Sequence, residues 1–146
     1  MRNRIIIFCL LLIFLSGTAL AESGPIGTVK TKKGSFMVTR NKVQHPAEIG
    51  FKIHQNDLIS TGNEGAVGII FIDDTILSLG PNTELVMDEY VFAPQKKEMS
   101  MVMRLIKGTA SYLSGIIGKQ SPDTVKLKTP DATIGMRGTK FLVKVD

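Results

Sequence analysis

Apolar and polar residues alternate in short runs along most of this chain, and turn-forming residues separate the runs. A period of two places neighbouring side chains on opposite faces of a strand, so these runs predict strands. Beyond residue 21, no stretch shows the period of an amphipathic helix. About nine or ten short strands without a repeat or an internal linker predict an all-β fold, with two sheets packed as a sandwich.

Some runs give more specific expectations. Residues 66–72 are the most apolar run after residue 21 and predict a strand that is buried on both faces. Residues 26–31 and 35–40 predict a hairpin around Lys32-Lys33-Gly34. Ten side chains are expected to be mostly buried: Val67, Ile69, Phe71, Met101, Met103, Val125, Leu127, Ile134, Phe141 and Val143.

A stripe of methionines follows the same period of two, at Met99, Met101 and Met103, and Leu105 continues it. Such a stripe could be a sulfur surface for a metal or an adaptable partner. Flexible thioethers also fill irregular gaps in a core, and we favour this interpretation.

The apolar run that ends at residue 72 is followed by Asp73-Asp74 and a second run, which is hairpin spacing. Adjacent carboxylates in a turn are expected to cap backbone groups. Aspartate adopts left-handed geometry less readily than glycine, so the sequence leaves the type of this turn open.

The stretch from residue 129 to the end carries the most informative pattern. Pro130-Asp131 predicts a turn, and two alternating runs follow it. Their apolar positions have even numbers up to Met136 and odd numbers from Phe141. One continuous strand can keep both series in one core only if an extra residue lies between them, and Gly138 suits a β-bulge because glycine adopts a positive φ.

Residues 129–143 resemble the closing signature of the FecR domain, which has a Thr-Pro pair, an alternating run, Arg-Gly-Thr and an apolar tail. The likeness is strongest over residues 58–145, and farther from the signature it includes Thr61-Gly62 and residues 79–83. It implies a jelly-roll sandwich. We interpret the motif residues as structural, namely Thr129, Pro130, Arg137, Gly138 and Thr139. Gly138 is expected to set the backbone geometry, and Arg137 is expected to pair a carboxylate beside the bulge.

The first 21 residues have the pattern of a secretory signal peptide. Arg2 and Arg4 precede an apolar run of eleven, residues 5–15, and Ala19-Leu20-Ala21 is a small-x-small cleavage site. Eleven apolar residues are too few to span about 30 Å of hydrocarbon. We therefore predict cleavage after Ala21, a β domain over residues 22–146, no stable membrane span after cleavage, and a periplasmic or secreted location.

Charge and composition argue against several classes of function. Without Arg2 and Arg4, sixteen basic and thirteen acidic residues remain, the lysines are scattered and aromatic residues are few, which disfavours nucleic-acid binding. The single cysteine, Cys9, would leave with the signal peptide, and His45 and His54 form no metal signature. No motif of a hydrolase elbow, a phosphate loop or a calcium loop occurs. The sequence predicts neither an enzyme nor a cofactor.

The expected function is contact with an unidentified envelope protein, in a scaffold or signalling-accessory role. The resemblance to full-length FecR regulators implies a cytoplasmic segment that regulates a sigma factor and a C-terminal part. This sequence shows neither part, so participation in such signalling is left open. Ile116 and Ile117 are predicted in a mobile loop as the best partner contacts, although they could instead fold back as a plug. The alternative function is envelope glycan binding, which would need Tyr90 or Tyr112 exposed on a concave face.

The signal-peptide pattern gives the first prediction. The protein isolated from cells should begin at Glu22, because the small residues Ala19 and Ala21 fit the cleavage pocket of a signal peptidase. N-terminal sequencing checks this. A cytoplasmic protein that still carries residues 1–21 would contradict it.

Overall fold

The structure is a computed structural model that describes residues 23–146, so the predicted signal peptide and its cleavage site lie outside the described residues. The described part is all-β, as predicted. Its strands are β1 (Gly27–Lys33), β2 (Phe36–Arg40), β3 (Val43–Pro46), β4 (Lys52–Ile53), β5 (Leu58–Thr61), β6 (Ala66–Phe71), β7 (Ile76–Leu79), β8 (Glu84–Ala93), β9 (Glu98–Leu113), β10 (Val125–Lys128), β11 (Thr133–Gly135) and β12 (Lys140–Val145). A short helix, α1 (Ile116–Gln120), and two 3₁₀ turns, Pro94–Lys96 and Pro122–Thr124, complete it.

The strands form one curled, open sheet of twelve strands. Its first half has the order β3-β2-β5-β8-β9-β10-β11, and its second half has the order β4-β1-β6-β7-β9-β12. The pair β9–β10 is parallel, and the other pairs are antiparallel. Strand β9 is common to both halves, so the sheet has to change direction along that strand.

Gly108 lies where β9 passes from one half to the other. Residues 98–107 of β9 pair with β8, whereas residues 108–113 pair with β12. Gly108 has φ +93°, and a Cβ there would lie 2.4 Å from the Cα of Thr83. The Thr83 hydroxyl accepts a hydrogen bond from the Thr109 N–H at 2.9 Å, which fastens the bend. Only glycine fits both the left-handed backbone and the close approach of Thr83.

The two halves enclose one apolar core. The ring of Phe71 from the second half stacks on the ring of Tyr90 from the first, with centroids 5.5 Å apart. Seven of the ten predicted core residues are buried, namely Val67, Ile69, Phe71, Met101, Met103, Val125 and Leu127. Ile134, Phe141 and Val143 are partly buried and pack against the core. The core interpretation of the methionine stripe is confirmed for Met101 and Met103.

Two predictions about individual strands are wrong. Residues 26–31 and 35–40 do not form a hairpin, because β1 pairs with β4 and β6 whereas β2 pairs with β3 and β5 in the other half. The chain crosses between the halves at Gly34, which has φ +64°. Strand β6 is buried on one face only, since Ile70 on its other face is half-buried and Ile72 just beyond the strand is 57% exposed.

The predicted bulge at Gly138 is also wrong. Residues before it form β11, which pairs with β10, and residues after it form β12, which pairs with β9 in the other half. The apolar series changes parity because residues 136–139 cross between the halves. A bulge without a glycine occurs instead in β8, where the register shifts between Met87 and Glu89 and lets Met87 and Tyr90 both enter the core.

The bend in β9 gives the second prediction. Gly108→Ala should lower the free energy of unfolding by at least about 2 kcal/mol, because a Cβ is strained at this φ and meets the backbone of Thr83. Urea unfolding measures the change. Gly135→Ala is the matched control, since no atom lies within 4 Å of a Cβ there, and it should stay within about 0.5 kcal/mol of the wild type. Equal effects of the two substitutions would contradict the role of Gly108 in the bend.

Candidate functional site

Most of the predicted site residues meet at one end of the curled sheet. This end consists of residues 72–75, 114–124 and 136–139, and we call it the turn end. The Ser114 N–H donates to the Thr139 carbonyl at 2.8 Å, and the Ile116 N–H donates to the Asp73 carbonyl at 2.7 Å. The β6–β7 turn, helix α1 and the Arg-Gly-Thr motif are therefore joined by backbone hydrogen bonds.

The β6–β7 connection is a hydrogen-bonded β-turn followed by a residue in the left-handed region. The Asp74 N–H donates to the Phe71 carbonyl at 3.0 Å, which closes a β-turn with Ile72 and Asp73 at its centre. Asp74 follows with φ +67°, in the left-handed region. The Asp74 side chain is exposed, so its carboxylate is not buried at this strained position.

The Asp73 carboxylate is fully buried and accepts hydrogen bonds from three parts of the chain. Oδ1 accepts from the Tyr90 hydroxyl at 2.8 Å and from the Thr75 N–H at 3.3 Å. Oδ2 accepts from the Thr75 hydroxyl at 2.7 Å and from the Ile117 N–H at 3.0 Å. The Thr75 hydroxyl oxygen in turn accepts from the Gly115 N–H at 3.2 Å. A buried carboxylate is tolerated when donors satisfy it in this way.

Two buried tyrosines line the interior beside this carboxylate. Burial, followed by the negative charge of Asp73, raises the pKa of Tyr90 far above its usual value. Burial also raises the pKa of Tyr112, whose hydroxyl makes no hydrogen bond although Ser114 and Thr75 lie near it. Both phenols therefore stay protonated at neutral pH. Tyr90 is 6% exposed and Tyr112 is 2% exposed, so neither offers a stacking surface for a sugar.

Residues 116 and 117 do not lie in a loop, as the sequence suggested, but in α1. The loop prediction fails because Asp73 supplies acceptors for the Ile116 and Ile117 N–H groups, which lets a short helix begin after Gly115 and continue through Gly118. Ile117 is completely buried, so it is not available to a partner in the folded chain. Ile116 is half-buried, and its role as a partner contact stays a prediction.

The motif residues occupy different structural positions. Arg137 forms an ion pair with Asp123, as expected of a structural arginine, but both side chains are largely exposed, at 73% and 70%. An exposed pair of this kind contributes little to stability. Gly138 has φ +129°, and the Thr139 carbonyl accepts the Ser114 N–H. The interpretation of this motif as structural stays a prediction, now based on Gly138 and Thr139 more than on Arg137.

Thr129 and Pro130 lie apart from the turn end, in the turn between β10 and β11. The Thr129 N–H donates to the Ala132 carbonyl at 2.8 Å, and the Ala132 N–H donates back to the Thr129 hydroxyl oxygen at 3.1 Å. This arrangement confirms the predicted turn at Pro130-Asp131. Pro130 has no N–H to satisfy and suits such a tight connection.

A second buried carboxylate, Asp57, was not singled out by the sequence. The Arg40 guanidinium holds it with two hydrogen bonds, from Nε at 2.8 Å and from Nη2 at 2.7 Å. The Asp57 side chain is 0% exposed, and it also accepts the His54 N–H at 2.8 Å. Within residues 23–146, no three histidine, cysteine or acidic side chains are grouped as metal ligands would be. The same residues include no helix with the length and hydrophobicity needed to cross a bilayer.

The Asp73 network gives the third prediction. Asp73→Asn should lower the free energy of unfolding by about 2–4 kcal/mol, because an amide NH₂ would replace an oxygen that accepts two hydrogen bonds. Thermal unfolding checks this, with Asp74→Asn as the matched neighbour. Since Asp74 is exposed and asparagine tolerates its positive φ, that variant should stay within about 0.5 kcal/mol of the wild type. A tolerated Asp73→Asn would show that the carboxylate is not needed.

Comparison with known proteins matches one family over most of the described chain. The family model described as FecR protein matches residues 57–146, which include β5 to β12, the turn end and the Thr-Pro turn. Neither the curated proteins nor the solved structures contain a match to this chain. The match over residues 57–146 covers more than half of the sequence, and the chain belongs to the FecR family.

Proposed function

We propose that this protein is a non-enzymatic module of the cell envelope that acts by contact with another protein, in a scaffold or signalling-accessory role. The observation that carries the proposal is its membership of a signalling family, over a segment that includes the complete turn end. The export pattern of residues 1–21 supports a periplasmic or secreted location. A jelly-roll arrangement of the curled sheet is part of the same proposal.

Several carboxylates are held by hydrogen bonds or ion pairs within the fold, which supports a structural role for these groups. Asp73 is fully satisfied by donors from the turn end and by the Tyr90 hydroxyl, and Asp57 is held by Arg40. Asp88 pairs with Arg104 on the neighbouring strand at 3.1 Å. A general acid or base needs a free position for the reacting group, and these carboxylates are committed to the fold.

The test of this function has two measurements. Cell fractionation should place the protein outside the cytoplasm. Chemical cross-linking in intact cells, followed by affinity purification and quantitative mass spectrometry, should recover the same envelope protein in replicate samples. The matched control is the same tagged protein produced without residues 1–21, which should remain in the cytoplasm and lose that cross-link. A cytoplasmic location of the full-length protein, or cross-links no more reproducible than those of the control, would contradict the proposal.

A further inference from the structure

Strand β12 is the longest strand at an edge of the sheet among residues 23–146. In this part of the chain, β3, β4, β11 and β12 each have a hydrogen-bonded neighbour on one side only. Strand β4 has two residues, β11 has three, and β3 has four and ends in Pro46. Short strands and prolines prevent further pairing at an edge. Strand β12 has six residues and no proline, so its edge remains open to another strand.

The register identifies the backbone groups at this free edge. Lys140 pairs with Leu113, and the pairing continues to Val145 opposite Gly108. The Ser114 N–H donates to the Thr139 carbonyl, and hydrogen-bonded pairs recur every second residue in an antiparallel ladder. The N–H and carbonyl groups of Phe141, Val143 and Val145 therefore point towards β9. Those of Lys140, Leu142 and Lys144 point towards the free edge.

The side chains of β12 are apolar on both faces. Phe141, Val143 and Val145 face the core but are only partly buried, whereas the core-facing residues of the internal strand β6 are at most 3% exposed. On the outer face, Leu142 is 72% exposed. An open edge flanked by exposed apolar surface is a favourable site for strand addition.

The charged residues of β12 itself are both basic, Lys140 and Lys144, and Asp146 follows the strand. Lys140 and Lys144 are exposed on the same outer face as Leu142. Among the described residues Lys140 has no acidic partner, and Lys144 contacts only Asp146, at 3.2 Å. This charge pattern favours an acidic occupant.

We propose that the free edge of β12 binds an extended segment of a partner protein in which apolar residues alternate with Asp or Glu. The segment adds a strand to the sheet through the backbone groups of Lys140, Leu142 and Lys144. Its apolar side chains cover Phe141 and Val143, and its carboxylates lie beside Lys140 and Lys144. This inference rests on the proposed function by protein contact and specifies its site. A second copy of β12 would bring further lysines to the same edge, so it fits less well.

A capped peptide of alternating valine and glutamate is the probe, and the same peptide with lysine in place of glutamate is the control. Amide hydrogen exchange of the purified protein should slow at least tenfold at Lys140, Leu142 and Lys144 when the first peptide is added. The lysine peptide should leave these rates unchanged. Binding should weaken as salt is raised, because exposed charges are screened. Absence of protection by the glutamate peptide, or equal protection by both peptides, would overturn the proposal.

Substitutions at Leu142 separate the backbone from the side chain. Leu142→Pro removes an N–H that faces the free edge and preserves the ladder to β9, so it should reduce peptide affinity at least tenfold. Leu142→Ala keeps the N–H and should reduce affinity less than Leu142→Pro. The thermal midpoints of both variants show whether the fold is kept. A folded Leu142→Pro protein that binds like the wild type would overturn the proposal. If Leu142→Pro fails to fold, the exchange measurement on the wild type decides.

Two further outcomes would assign the edge or the partner differently. If the wild type forms a dimer in sedimentation equilibrium that Leu142→Ala does not form, the occupant is a second copy and the partner-strand proposal is wrong. The cross-linking experiment separates the edge from the function. A partner captured equally by the wild type and by folded Leu142→Pro supports protein contact but places it elsewhere, whereas no captured partner contradicts the proposed function itself.

Discussion

The buried carboxylate of Asp73 is the interaction on which the turn end depends. Removing a carboxylate from water costs several kcal/mol unless donors replace its hydration. Here the donors come from Thr75 on the same turn, from Tyr90 on the opposite half of the sheet and from the backbone of α1. None of these elements can move away without leaving a buried charge unsatisfied. One side chain therefore fixes the relative positions of a hairpin, a strand and a helix that are far apart in sequence.

The bend in β9 places those elements within reach of one another. Strand β9 contributes to both halves of the sheet, and after Gly108 it runs towards Ser114, whose N–H binds the Thr139 carbonyl. Thr83 supports the bend by accepting the Thr109 N–H, and Gly108 has no side chain that would displace it. The curl of the sheet and the turn end are thus two consequences of the path of one strand. Both parts lie within residues 57–146, the segment that matches the family.

The alternation in the sequence was sufficient to predict the fold class and most of the core, but not the pairing of the strands. Val125 and Leu127 alternate with lysines and were assigned to the correct face because burial in β10 depends on a local period. The hairpin expected around Gly34 failed because nothing in residues 26–40 distinguishes a tight turn from a crossing between halves. The apolar residues change from even to odd numbers around Gly138, and this change likewise does not distinguish a bulge from a crossing between halves. In β8 the alternation placed Met87 and Tyr90 on opposite faces, and the bulge that lets both enter the core was not predicted, since no glycine marks it.

The candidate site was less predictable because its contacts are long-range. The sequence suggested that Asp73 caps backbone groups, and it does accept the Thr75 N–H. Its bonds to Tyr90 and Ile117 join residues 17 and 44 positions away, which no local pattern encodes. The same long-range bonds turned the expected loop at residues 116 and 117 into a helix with a buried isoleucine. A structure predicted from the alternation of apolar and polar residues is wrong where a buried polar group forms hydrogen bonds with residues that are distant in the sequence.

The rigidity of the turn end also bears on how β12 can serve as a binding edge. The start of β12 is held where the Thr139 carbonyl binds Ser114, and its full length is paired with β9. The free backbone groups of this strand are therefore arranged for pairing before any partner arrives. Ordering a flexible segment on binding costs about 1–2 kcal/mol per residue, and here that cost falls only on the added strand. Strand addition at a fixed edge needs no rearrangement of the buried network around Asp73. Recognition at β12 and stability at the turn end can consequently change independently, although the strand follows directly after Thr139 and the Ser114–Thr139 hydrogen bond holds its start.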